Sequence, residues 1–122
     1  MTNFSIFESN LRGYFDGNVK RSHIEDLLNE GYDSVVLTVR ENGSIVVRFS
    51  GKYSGVLSFK NLDQFHKESE KFEDLEGLVY ALLTACDSAE KASTCFVPKS
   101  YSVEVIAKEP EVFYHKLQIP EQ

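Results

Sequence analysis

Two cysteines, Cys86 and Cys95, are all this sequence contains. Two thiols nine positions apart read as reduced core residues rather than as a disulfide framework. They also fall short of a zinc site, which wants four ligands. No stretch approaches the ~20 apolar residues of a membrane-spanning helix. The start, Met-Thr-Asn-Phe-Ser, lacks the basic and apolar regions of a signal peptide, so the expectation is a cytoplasmic protein. Gly-x-Gly-x-x-Gly, Walker and Gly-x-Ser-x-Gly patterns are missing, which removes the glycine-cradled phosphate sites and the hydrolase elbow. Internal repeats and low-complexity tracts are missing too.

What is there fits one globular domain over 1–122. The 122 residues are 42% apolar and 12% aromatic, a composition that disordered chains do not have, and the length matches a typical domain. The net charge of −6 is unevenly spread. Residues 34–60 hold one acid against Arg40, Arg48, Lys52 and Lys60, whereas residues 61–90 hold eight acids against two bases. A basic β-rich segment is therefore followed by an acidic helix-rich one.

Periodicity predicts an α+β fold. Ser5-Ile6-Phe7-Glu8 has the form of a capping box, with Phe4, Phe7, Leu11 and Tyr14 following near helical spacing. A helix is expected over 5–15, stopped by Asp16-Gly17. A second is expected over 22–30, with Ser22 and Glu25 as its capping box and Gly31 as its terminal glycine.

Residues 34–59 are rich in Val, Ile, Leu, Thr and aromatics, and their register can be derived. A three-residue loop, Glu41-Asn42-Gly43, pairs Val39 with Ile45, Leu37 with Val47 and Val35 with Phe49. All six then share one apolar face, whereas a two-residue Asn-Gly turn mixes faces. The same reasoning places a loop at Ser50-Gly51-Lys52, pairing Phe49 with Tyr53, Val47 with Gly55 and Ile45 with Leu57. The opposite face then carries Val36, Arg48 and Ser54 in one row, Thr38, Val46 and Val56 in the next, and Arg40, Ser44 and Ser58 in a third.

Asn61 or Asp63 is positioned to cap a short helix. Leu75, Leu78, Val79, Leu82, Leu83 and Cys86 form an amphipathic stripe that predicts a helix over 74–87, packed on the inner face of the sheet. Strands are expected at 94–97 and 101–107, joined by Pro98-Lys99-Ser100. The tail 110–122 reads equally as helix, strand or extended arm.

Candidate chemistry is sparse, and no catalytic residue stands out. Asp63, His66 and Glu70 have metal-ligand spacing on one helical face, but such spacing arises by chance on polar helices, and a fourth ligand is missing. Neither metal nor cofactor is expected. Cys86 lies on the apolar stripe, where a thiol acts as a small hydrophobe. His23 occupies the first turn of a helix and is expected in solvent.

The function expected is therefore a non-enzymatic protein-binding module, a small acidic inhibitor of the immunity or anti-defence type. Asp63, Glu68, Glu70 and Glu73 would steer a partner with a basic surface. The alternative is a small-ligand or single-stranded nucleic-acid binder using Arg40, Arg48, Lys52 and Lys60. The acidic balance weighs against direct nucleic-acid binding. Association with a second copy is open, and no membrane contact is expected.

Overall fold

The chain forms five strands: β1 (Tyr32–Val39), β2 (Ile45–Gly51), β3 (Gly55–Phe59), β4 (Tyr101–Glu109) and β5 (Val112–Gln118). A computed structural model describes residues 3–68, 73–93, 97–109 and 112–118. The strands pair antiparallel in the order β3-β2-β1-β4-β5. Four helices accompany them: α1 (Asn3–Asn18), α2 (Arg21–Asn29), α3 (Leu62–Glu68) and α4 (Glu73–Ala92). The architecture is α+β, with the helices packed on one side of the sheet.

The β1–β2 register is the expected one: Val39 opposes Ile45, Leu37 opposes Val47 and Val35 opposes Phe49. Gly43 closes the loop at φ 87°, a conformation that side chains with a Cβ resist. Its N–H donates to the Arg40 carbonyl at 2.9 Å, and Asn42 Oδ1 accepts from the Ser44 N–H at 3.0 Å.

The second hairpin departs from expectation by two residues. Phe49 pairs with Gly55, Val47 with Leu57 and Ile45 with Phe59. A shift of two keeps every residue on its own face, so alternation alone cannot distinguish the registers. Packing does distinguish them. Phe59 becomes buried and meets Phe65 edge-on at 5.4 Å, while the ring of Phe49 lies across Gly55, where an added Cβ would sit 2.7 Å from Phe49 Cζ. Gly51 stays in β2 against the start of β1, and Lys52 N–H donates to the Gly31 carbonyl at 2.7 Å. Tyr53 is left 52% exposed. The outward rows are accordingly Val36–Arg48–Val56 and Thr38–Val46–Ser58.

The helices also differ from their predicted bounds. α1 continues through Asp16-Gly17, because Phe7, Leu11, Phe15 and Val19 form one buried line and Val19 N–H donates to the Phe15 carbonyl at 2.8 Å. Burial of this kind outweighs the ~1 kcal/mol cost of a helical glycine. Tyr14, expected on the stripe, is exposed. α2 is not capped by Ser22. Its N-cap is Lys20, whose N–H donates to His23 Nδ1 at 3.1 Å, while Glu25 accepts from Arg21 Nε at 3.2 Å. α3 starts as one of the two alternatives has it: Asn61 Oδ1 accepts from the Gln64 N–H at 2.9 Å. α4 runs five residues beyond Asp87, because Ala85 and Ala89 extend the buried stripe with small side chains.

One core joins the inward residues of β1, β2, β3 and β4 to Phe7, Leu11, Ile24, Phe65, Leu78 and Leu82. The tail contributes β5, which resolves the ambiguity of 112–118 in favour of a strand. Of the strand expected at 94–97, residues 94–96 lie outside the described residues and Val97 is in no strand. Among the described residues, no helix is long and apolar enough to cross a membrane.

Candidate functional site

Burying the inward residues of the sheet turns Ser34, Val36, Thr38, Val46, Arg48, Ser102 and Glu104 to the other side. That side is neither polar nor apolar throughout. Its centre is a shallow concavity of about 900 Å³ that includes Val36, Val46, Thr38 and Ser102, with Arg40 and Arg48 at its rim. Thr38 Oγ1 and Ser102 Oγ share a hydrogen bond at 2.8 Å across β1 and β4. Val46 is nearly buried between its neighbours, whereas Val56, in the next strand, is 57% exposed.

The arginines of this chain divide into two kinds. Arg12 and Arg21 lie on helices and pair with Glu8 at 3.7 Å and Glu25 at 3.2 Å, each one turn away. Arg48 on β2 and Arg40, just past the end of β1, are exposed and form no ion pair among the described residues. The reason is local. A helix brings residue i+4 onto the same face as residue i. On β2, by contrast, the cross-strand neighbours of Arg48 are Val36 and Val56. Glu104 sits one strand further, beyond Val36 and beside Lys116 in register. Among the described residues, Glu41 is the one acid that lines the concavity.

The four basic candidates are thus not one site. Arg40 and Arg48 converge on the concavity. Lys52 lies in the β2–β3 turn, with its Nζ 5.8 Å from the centre of the Tyr53 ring. Lys60 precedes α3, where its N–H donates to Gln64 Oε1 at 2.6 Å.

The acidic candidates are dispersed as well. Asp63 is in the first turn of α3 and Glu68 at its end. Five positions apart, they project about 140° from one another around the helix. Glu70 lies outside the described residues, and Glu73 is the first residue of α4. Of the Asp63–His66–Glu70 set, Asp63 and His66 lie on α3 and Glu70 lies outside the described residues. No group of three metal-ligating side chains occurs among the described residues. His66 instead packs beside Tyr80 of α4 at 5.7 Å. His23, expected in solvent, is half-buried and lies over Gly77 of α4, 3.5 Å from where a Cβ would be.

A second group gathers in a crevice of about 190 Å³ between α4 and the β1–β2 hairpin. Tyr101 donates its hydroxyl to Glu90 Oε1 at 2.5 Å. Cys86 is buried beside it, and burial pushes its thiol up to about 12. A protonated thiol is neither a nucleophile nor a metal ligand. Burial likewise holds the Tyr101 phenol above its ordinary range. Cys95 lies outside the described residues.

No protein-family model matches the chain, and comparisons with curated proteins and with solved structures find no match.

Sequence reasoning grouped Arg40 with Arg48 but missed Ser100 and Ser102 as their neighbours. The signal was the alternation Tyr101, Val103, Val105 against Ser102 and Glu104. It faces Ser102 outward without saying that β4 lies beside β1.

Proposed function

We propose that the protein is a non-enzymatic binding module, an inhibitor or adaptor of another protein, and that it engages its partner through the open face of the sheet. The observation that carries this reading is the arginine pair that, among the described residues, has no carboxylate partner beside a half-apolar concavity. Exposed surfaces that mix apolar area with arginine are where partners bind most readily. The acidic stretch offers less support as a docking surface, because Asp63 and Glu68 diverge around α3. Single-stranded nucleic acid is held largely by stacking on aromatic rings, and no aromatic ring lines the concavity among the described residues.

Photo-crosslinking tests the reading. Benzoylphenylalanine at Val56, on the open face, should give protein adducts in cells of the native source. The same group at Tyr80, on the helical side, should give none. Adducts from position 80 alone, or adducts to nucleic acid, would sink it.

A further inference from the structure

We infer that the concavity captures an extended, acidic segment of the partner, one whose carboxylates stand four residues apart. The inference rests on the binding-module reading and names the chemistry of its ligand.

Spacing is the first argument. Arg40 N–H donates to the Ser44 carbonyl at 3.0 Å, so Arg40 stands level with Ser44, and Arg48 follows four positions along β2. At about 3.3 Å per residue the two arginines are about 13 Å apart along the strands. An extended peptide repeats the same interval between residues i and i+4, and both of those side chains point to one face. Two carboxylates so placed can each take a guanidinium fork, the geometry in which arginine binds carboxylate best.

Charge is the second. The chain is net −6, yet among the described residues the two arginines without a carboxylate are the two on this face, while Arg12 and Arg21 have theirs. A carboxylate from outside supplies what the fold omits. Glu41, at the loop end of the concavity, disfavours an acid directly beside Arg40 on that side and so sets the direction of approach.

The floor is the third. Val46, in the row between the arginines, suits an apolar residue at i+2 of the ligand, and Val36, opposite Arg48, continues the apolar floor. The hydroxyls of Thr38 and Ser102 suit polar neighbours.

The probe is an acetylated, amidated peptide, Ser-Glu-Thr-Val-Thr-Glu-Ser, titrated into the whole protein and followed by amide NMR shifts. Saturable shifts are expected at Val36, Thr38, Val46 and Ser102. Arg40→Glu and Arg48→Glu should each weaken binding at least tenfold. Both sites are exposed, so unchanged thermal unfolding will show that the variants remain folded. A peptide of the same composition with its glutamates adjacent should bind at least fivefold more weakly, and a lysine version not at all. The inference is overturned if shifts fall on α3 and α4, if the arginine variants bind equally well, or if the two glutamate peptides are indistinguishable. It also falls if oligothymidylate displaces the peptide and binds more tightly through the same arginines. Failure here together with protein adducts from position 56 would remove the acidic-segment ligand and leave the binding module standing.

Discussion

Tyr101 and Glu90 join the first residue of β4 to α4 through a 2.5 Å hydrogen bond, with the phenol ring itself buried against Phe7 at 5.0 Å. The bond lies at the inner edge of the crevice that holds Cys86. Replacing Tyr101 by Phe keeps the ring and removes the donor. The expected loss is about 1–3 kcal/mol, because a partly buried carboxylate is left without its partner. Urea unfolding of Tyr101→Phe, Glu90→Gln and the double variant measures it, and a coupling energy near zero would show that the bond contributes nothing.

Cys86 should be inert while the protein is folded. In a Cys95→Ser background, its thiol should react with a disulfide reagent at pH 8 only as fast as the protein opens. The pH dependence has a definite sign. The folded thiol is raised from 9.0 to about 12, so below pH 9 neither state releases the proton and stability is unaffected. As pH rises from 9 towards 12, the unfolded chain ionises first and stability falls. Cys86→Ala should remove that part of the decline, as unfolding measured between pH 8 and pH 10 will show.

Two glycines with positive φ should differ in what they tolerate. Gly43, at 87°, has open space where a Cβ would go, so Gly43→Val meets only backbone strain and should cost about 1–2 kcal/mol. Gly51, at 141°, would place a Cβ 2.6 Å from the Gly31 carbonyl oxygen. Gly51→Ala should therefore destabilise more than Gly43→Ala, and equal melting temperatures would contradict the close approach of β2 to the α2–β1 junction.

Leu82 is buried in the same core as Leu37 and Val47. Leu82→Ala should cost about 2–5 kcal/mol in denaturant unfolding. A loss under about 1 kcal/mol would mean that this part of the core collapses onto the vacancy.

By itself the sequence determined the fold class, the first hairpin and the inward stripe of α4. In each case a residue's neighbours along the chain decide the outcome: a one-residue slip between β1 and β2 would bury Arg48, and a three-turn apolar stripe admits a single orientation. Tertiary structure decided whatever leaves that pattern unchanged. The β2–β3 register moved by two because both registers alternate alike, and only the fit of Phe49 over Gly55 and Phe59 against Phe65 separates them. α1 passed its stop signal because Phe15 and Val19 found a core to enter. Arg40 and Arg48 were legible as neighbours on one face. Their lack of carboxylates among the described residues was not, since it depends on β4 lying beside β1 with Glu104 one strand too far away. Asp63 and Glu68 share a helix, but the turn of α3 sets them about 140° apart.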